Sequence, residues 1–372
     1  MAVAQDGNSN VFPFAFTLVE GETGVGWSFF LKNLKTHVAS QLGLYLISDR
    51  QASIVSAYPT NGWHDPPSTH VFCIRHIVQN FTREIKDRAL RKLVMNAGYA
   101  LAQLSFKHYR REIKLSNPDA GTWIDNILVE KWTWSYDNGQ RWGHMTTNIF
   151  ELMNDVFKGI QNLPITALVK STYFKMASLF AQRGERWDAM LRSEQLWSEC
   201  CTRFIKAEGA KANTHVVTRF DRHNQNFMVK EIIDHNVGLP RQEYWVILEE
   251  RWCDCRKFQA FCMPCSHVIA ACAHSHIDAL TLLSPIYMSE TLLYIYNTDF
   301  VVVAKEDDWP VYEGEIVWHY DQMQRNKKGR LQSKRIITEM DELDKLERKY
   351  GLCRQVRHNK KNCPTRASGS TN

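Results

Sequence analysis

The chain has 372 residues, of which 44% are apolar and 12% aromatic. This composition excludes a wholly disordered protein, because it supplies enough apolar surface for two or three domain cores. The net charge of +6 is unevenly spread, since residues 325–372 hold 14 basic and 5 acidic residues and the rest of the chain has a net charge of −3. The pattern predicts a slightly acidic body and a basic tail that binds polyanions.

The sequence contains no run of 18 apolar residues and no secretory leader pattern at its N-terminus. We therefore expect neither a membrane-spanning nor a secreted protein. The chain has ten cysteines, several of them clustered near histidine. In a protein without a leader, this clustering indicates metal ligation in a reducing compartment, the cytosol or the nucleus, rather than disulfides.

The N-terminal half predicts a mixture of strands and helices. Two short apolar runs around the turn Gly7-Asn8-Ser9-Asn10 predict a β-hairpin. Helical spacing of apolar residues over 27–38 predicts a helix, and residues 44–49 predict a strand that ends in Asp49. A strand near residues 70–73 and a long, mostly helical stretch over 77–114 follow.

Residues 123–143 are aromatic-rich and predict irregular structure, and helices resume near residue 147 and run to about residue 203. After Ala207 the sequence predicts short β runs separated by polar turns. We therefore expect a second, smaller domain that closes with Cys253 to Cys272 and a helix beginning near Ser266.

Four residues of this second domain have the spacing of zinc ligands. Cys253 and Cys255 form C-x-C, and Cys265 and His267 form C-x-H after nine intervening residues. Two close pairs of thiolate and imidazole ligands suit tetrahedral zinc, with the first pair on a hairpin and the second at a helix N-terminus. The predicted site is structural, because it has no open position. The alternative is a set of buried thiols with a surface histidine.

The remaining residues near this cluster have other predicted roles. Cys262 is an additional thiol and an alternative candidate ligand, whereas three residues are expected in the helix and not as ligands: Cys272, His274 and His276.

The pattern C-x-C, spacer, C-x-H resembles the SWIM zinc finger. The flanking residues CRKFQAF and MPCSHVIAAC are similar to the versions found in Mutator-like element (MULE) transposases and their domesticated relatives. The opening DGNSNVFPFAFTLVEGE, the segment CIRHIVQNF and the segment GHMTTNIFELMNDVFKGIQNLPITAL also resemble the core domain of these transposases, over about residues 1–185. The resemblance implies DNA as a partner and the nucleus as the location.

For the first domain, the resemblance implies an RNase H-like fold in which three acidic residues bind two divalent ions, Mg²⁺ or Mn²⁺, for DNA strand cleavage and joining. Asp49 matches the second acid and Glu151 the third, and Cys73 and His76 match the C-x2-H element of the family. The alternative interpretation, which does not use the resemblance, is that Asp49 is a surface residue at the end of a strand. Glu151 is then a carboxylate that interacts with the dipole at a helix N-terminus.

In the family, the first acid lies on a strand that precedes the segment matching Met1 to Asp6. We therefore expect that acid to be absent from this chain, and Asp6 to belong to the hairpin turn. A catalytic site that retains two of its three carboxylates is expected to bind metal weakly, and we expect this chain not to transpose DNA.

The basic tail has a degenerate zinc-knuckle pattern. Cys353, His358 and Cys363 are spaced as C-x4-H-x4-C and resemble the last three ligands of a retroviral-type knuckle, while Tyr350 stands where the first cysteine is expected. The alternative is a flexible tail. Five cations are the candidates for neutralising phosphates: Lys327, Lys328, Arg330, Lys334 and Arg335.

The predicted architecture is of the α+β or α/β class. It comprises a truncated RNase H-like core with a helical insertion over residues 1–190, a small ββα SWIM zinc-finger domain over 205–300 and the basic tail over 310–372. The predicted function is that of a zinc-binding, transposase-derived nucleic-acid-binding or regulatory protein. Two alternatives stay open: an active transposase whose N-terminal exon is missing, and a SWIM module that binds other proteins.

Overall fold

The computed structural model of the protein describes residues 1–313 apart from 20, 64–67, 150–152, 154–155, 161–162, 222–224, 233–242, 302–307, 309 and 312. Met1–Val301 form one compact unit, and a second unit begins at Val302. The predicted boundaries near residues 190–205 and 310 stay predictions.

The chain begins with the predicted hairpin, in which β1 (Ala2–Gln5) pairs antiparallel with β2 (Val11–Ala15). Helix α1 (Gly24–His37) follows, and its N-cap Thr23 accepts a hydrogen bond from the backbone N–H of Gly26 at 3.1 Å. This bond satisfies one of the N–H groups that a helix start leaves unpaired. The helix buries one face, formed by Phe30, Leu31 and Leu34.

Two parallel strands form the next sheet. β3 (Tyr45–Ser48) pairs with β4 (Thr69–Phe72) so that Ser48 lies opposite Phe72. Helix α2 (Ala52–Thr60) lies between the two strands in the chain, as a parallel connection requires. The two strands end side by side, and the residues that follow them therefore meet at one edge of the sheet.

A layer of helices follows β4 in the chain. It consists of α3 (Ile74–Ile85), α4 (Arg88–Tyr99), α5 (Gln103–Ser116), α6 (Pro118–Asp125) and α7 (Val129–Trp132). Side-chain caps start two of these helices, because Asp87 accepts hydrogen bonds from two backbone N–H groups of α4 and Asn117 from two of α6. The helices α3 and α4 approach closely where Gly98 contacts Ile74.

The C-terminal part contains two long helices and an antiparallel sheet. The helices are α8 (Ile165–Arg192) and α9 (Glu199–Ala212), and the strands are β5 (His215–Asp221), β6 (Asn226–Glu231), β7 (Glu243–Ile247) and β8 (Trp252–Cys253), paired in chain order. Helices α10 (Lys257–Phe261), α11 (Ser266–His274) and α12 (Ser289–Tyr296) complete it, with short 3-10 turns at Ala279–Leu282 and Pro285–Tyr287. The sheet and α11 share a core that includes Phe227, Val246 and Val268.

The turn of the N-terminal hairpin is bound to residues that lie far along the chain. Asp6 is 6% exposed, and its Oδ2 accepts a hydrogen bond from the hydroxyl of Tyr296 in α12 at 2.8 Å. Ser198 donates its hydroxyl to the carbonyl of Gly7 at 2.9 Å. A Cβ on Gly7 would lie 2.9 Å from the carbonyl carbon of Ile286, so this backbone approach requires glycine. Asp6 is thus a structural residue of the turn, as predicted.

The mixture of helices with small sheets agrees with the coarse fold prediction. In the described residues, β1–β2 and β3–β4 form two separate two-stranded sheets, and the RNase H-like core stays a prediction. The irregular structure predicted over residues 123–143 is wrong in part, because α7 occupies Val129–Trp132. None of the described helices is both long and apolar enough to cross a membrane.

Candidate metal centre

The four predicted zinc ligands converge at one end of the antiparallel sheet. Cys253 ends β8, and Cys255 lies in the turn that follows it. Cys265 is the N-cap of α11 and His267 lies in its first turn, so the second pair comes from a helix N-terminus as predicted. The ligand atoms of all four residues lie within 4.8 Å of one another.

Hydrogen bonds fix the turn that presents Cys253 and Cys255. Asp254 lies between them, and its backbone N–H and side-chain carboxylate pair with the backbone of Trp245 on β7 at 2.9 and 2.8 Å. The side-chain amide of Gln259 donates to the carbonyl of Cys253 at 3.0 Å. These contacts orient both thiols toward the start of α11.

The distances fit one tetrahedral zinc ion. The Sγ of Cys255 lies 3.4 Å from that of Cys253 and 3.5 Å from that of Cys265. The Nδ1 of His267 lies 3.6 Å from the Sγ of Cys253 and 3.9 Å from that of Cys265. Zn–S bonds of about 2.3 Å and Zn–N bonds of about 2.0 Å set sulfur–sulfur separations of about 3.8 Å and sulfur–nitrogen separations of about 3.5 Å. A small adjustment therefore brings all four atoms into coordination.

The electrostatics of the cluster favour a cation. Hydrogen bonds with Cys253 and Cys265 hold the pKa of Cys255 well below its ordinary value. The bond to the Cys255 thiolate raises the pKa of Cys253, and burial raises that of Cys265 well above its usual range. Ionisation of one of these thiols therefore opposes ionisation of the others when no counterion is present. A divalent cation supplies the charge that lets all three sulfurs bind as thiolates.

Two carboxylates that were not predicted from the sequence form hydrogen bonds in the segment that contains Cys265 and His267. Glu208 of α9 accepts a hydrogen bond from the backbone N–H of Ser266, between the two ligands, at 3.0 Å. Glu231 at the end of β6 lies 2.9 Å from the Nε2 of His267. Burial raises the pKa of Glu208, but Lys257, Lys211 and the Ser266 N–H outweigh it and lower the pKa overall.

The other nearby candidates lie outside this set. Cys262 is half-buried, and its thiol lies 3.6 Å from the carbonyl of Gln259. Cys262 does not belong to the cluster that can hold an ion at this site. Among the described residues, that cluster consists of Cys253, Cys255, Cys265 and His267. Cys272 and His274 lie in α11, and His276 follows that helix.

The structure brings Asp49, Cys73 and His76 together at the ends of β3 and β4. Cys73 is the N-cap of α3, and its Sγ accepts a hydrogen bond from the backbone N–H of Thr147 at 3.3 Å. Burial raises the pKa of Cys73, but the bond from His76 and the bond from Thr147 lower it to about 7 overall. The bond to Cys73 raises the pKa of His76 against the effect of burial, and the charge of Asp49 raises it further.

Asp49 itself makes a local structural bond, because its Oδ1 accepts the backbone N–H of Gln51 at 2.5 Å. In the described part of the chain, Asp49 belongs to no group of three or more side chains that can hold an ion. Glu151, the predicted third acid, lies outside the described residues. So do the predicted knuckle residues and the five tail cations: Cys353, His358, Cys363, Lys327, Lys328, Arg330, Lys334 and Arg335.

The fold and the site together define a mixed helix-and-sheet protein with a Cys₃His cluster suited to a metal ion. A family model described as the MULE transposase domain matches residues 1–80. Residues 1–80 are therefore similar to the MULE transposase domain, and the predicted relationship to these transposases is confirmed over that segment. No curated protein and no solved structure matches the chain significantly.

Proposed function

We propose that this protein is a transposase-derived nucleic-acid-binding or regulatory protein that holds one structural zinc ion. The zinc ligands are Cys253, Cys255, Cys265 and His267. The observation that carries the proposal is the convergence of their ligand atoms within 4.8 Å, at separations close to the edges of a zinc tetrahedron.

A structural role is favoured over a catalytic one by the number and burial of the ligands. Four protein ligands leave no position for water or substrate on a tetrahedral ion. Cys253 and Cys265 are 0% exposed and His267 is 4% exposed. Strands β7 and β8 precede α11 in the chain, which supports the proposal of a ββα finger of the SWIM type.

The nucleic-acid role is supported by the MULE transposase domain and by the charge distribution of the sequence. Residues 325–372 hold 14 basic and 5 acidic residues. Cations in such a tail replace the counterions condensed on phosphates, and the resulting affinity depends on salt and not on base sequence. We expect the tail to contribute affinity for DNA of any sequence, and any preference for particular base sequences to come from the folded part of the chain.

Elemental analysis of the full-length protein tests the zinc site. We expect one zinc ion per chain in the wild type and in Cys262→Ser, and a loss of zinc in Cys265→Ser. The control is matched, because Cys262 lies three residues from Cys265 and is a thiol outside the cluster. Folded wild-type protein purified with zinc present but containing none would refute the proposal.

A salt titration of DNA binding tests the tail. We expect residues 1–324 to bind duplexes of unrelated sequence more weakly than the full chain by a similar factor, and with a shallower slope of log affinity against log salt. Equal affinities and slopes for the two proteins would show that the tail contributes nothing to DNA binding.

A further inference from the structure

The imidazole of His267 uses its two nitrogens for different purposes. Its Nδ1 lies 3.6 and 3.9 Å from the sulfurs of Cys253 and Cys265, whereas its Nε2 lies 2.9 Å from the Oε1 of Glu231. A neutral imidazole that binds a metal through one nitrogen carries its proton on the other. The Nε2–H group of His267 is therefore the donor, and the carboxylate of Glu231 is the acceptor.

Two rings hold the plane of this imidazole. Tyr244 stacks on the ring of His267 at 4.1 Å with an interplanar angle of 27°, and His215 stacks at 5.1 Å with an angle of 17°. Stacking fixes the plane but not the direction of the ring. A half-turn about the Cβ–Cγ bond leaves the plane unchanged and presents the carbon Cδ2 to the sulfurs instead of Nδ1. The bond from Nε2 to Glu231 is the contact that distinguishes these two orientations.

The position of Glu231 follows from the sheet and not from the ligand motif. Glu231 ends β6, lies opposite His215 on β5, and has a side chain that is 25% exposed. It is 36 residues from His267 in the chain. Zinc-binding histidines commonly donate their second N–H group to a carboxylate, which fixes the tautomer and the ring orientation.

A second ion is the competing explanation, because His215, Glu231 and His267 also lie within 4.8 Å of one another. An ion bound to a ring nitrogen lies close to the plane of that ring, along the nitrogen lone pair. The rings of His215 and His267 are stacked nearly parallel, and such planes do not meet at a common ion close to both rings. The geometry therefore favours Glu231 as a hydrogen-bond acceptor over Glu231 as a metal ligand.

We propose that Glu231 is the positioning residue of the metal centre: it accepts the Nε2–H of His267 and thereby keeps Nδ1 as the ligand atom. The proposal rests on the zinc site proposed above. Loss of such an acceptor weakens metal binding by about 10–100-fold.

The test compares Glu231→Leu, Glu231→Gln and the control Glu243→Gln in the full-length protein. Glu243 lies on the neighbouring strand β7, and its half-exposed carboxylate pairs with Lys230 at 2.6 Å. Glu243→Gln therefore removes a negative charge from the same sheet without changing the hydrogen-bond acceptor of His267. The measurements are the zinc dissociation constant by chelator competition, the number of ions bound at saturation, and the His267 tautomer by long-range ¹H–¹⁵N NMR.

We expect one zinc ion in every variant that folds, with the dissociation constant raised about 10–100-fold by Glu231→Leu. Glu231→Gln keeps an acceptor oxygen without the charge, so it is expected to give a smaller loss and to retain the Nε2–H tautomer. It is also the informative variant if Glu231→Leu does not fold. Glu243→Gln is expected to match the wild type.

Unchanged affinity in the Glu231 variants that fold would overturn the positioning role while leaving the zinc site intact. Two ions in the wild type, with one lost in Glu231→Gln, would also overturn it and make Glu231 a ligand. Wild-type protein that binds no zinc would instead refute the proposed function on which the inference rests.

Discussion

The buried imidazole of His70 is expected to make the stability of the protein depend on pH. His70 lies on β4, is 4% exposed, and stacks on the ring of Tyr58 at 4.9 Å. Its Nε2 lies 2.8 Å from the hydroxyl of Ser48, and its backbone carbonyl accepts a hydrogen bond from the ammonium of Lys131 at 2.9 Å. Burial, together with the charge of Lys131, lowers the pKa of His70 from 6.5 to about 4.

The sign of the effect follows from the two pKa values. Above about pH 6.5 the imidazole is neutral in both the folded and the unfolded chain, and His70 then contributes no pH dependence. As the pH falls below that value, the unfolded chain gains a proton that the folded chain excludes until about pH 4, so the free energy of unfolding decreases. The full difference corresponds to about 3 kcal/mol, of which about 2 kcal/mol is lost between pH 7.5 and pH 5.

Urea unfolding of the wild type and of His70→Gln at intervals from pH 7.5 to 5.0 measures this contribution. The variant removes the titrating group, so we expect its free energy of unfolding to fall by about 2 kcal/mol less than that of the wild type over this range. Proton competition at the proposed zinc ligands acts on both proteins alike and cancels in the difference. The exposed residue His108 provides the control variant His108→Gln. Parallel pH profiles for the wild type and His70→Gln would refute the reasoning.

Two further predictions concern packing and a buried carboxylate. Gly98→Ala is expected to destabilise the protein by about 1–3 kcal/mol in urea unfolding, because the new Cβ would lie 2.8 Å from the Cγ1 of fully buried Ile74. The control is Gly209→Ala in α9, where a new Cβ would have no neighbour within 4 Å. This change is expected to stabilise the protein by about 0.5–1 kcal/mol. Equal effects of the two substitutions would contradict the packing argument. Glu208→Ala is expected to cost about 1–3 kcal/mol, since it leaves a buried backbone N–H without its acceptor. Glu199→Ala, which removes an exposed ion pair, should cost less than about 1 kcal/mol, and a larger loss there than at Glu208 would argue against this role of Glu208.

The ligands of the metal centre were predictable because their signal is local. Cys253 and Cys255 lie in one turn, and Cys265 and His267 begin one helix, so their spacing in the chain almost determines their spacing in space. The hairpin turn and α1 were predictable for the same reason. Each depends on residues that are neighbours in the sequence.

The supporting residues were not predictable, because they reach the site through tertiary structure. Glu208 is 58 residues from Ser266, and Glu231 is 36 residues from His267. A carboxylate at a helix surface or at a strand end is common, and nothing in the local sequence distinguishes these two from other glutamates. Their roles depend on the packing of α9 against α11 and on the register of β5 with β6.

The contact between Asp6 and Tyr296 has a consequence for the order in which the protein is completed during synthesis. The two residues are 290 positions apart, and at translation rates of roughly 5–20 residues per second the ribosome needs about 15–60 s to make the intervening chain. The hairpin turn is therefore made long before Tyr296, and Asp6 lacks this hydrogen-bond partner while residues 253–267 of the candidate metal centre are being translated. Translation of the chain as far as Tyr296, and not formation of the hairpin itself, therefore sets the earliest time at which this contact can form.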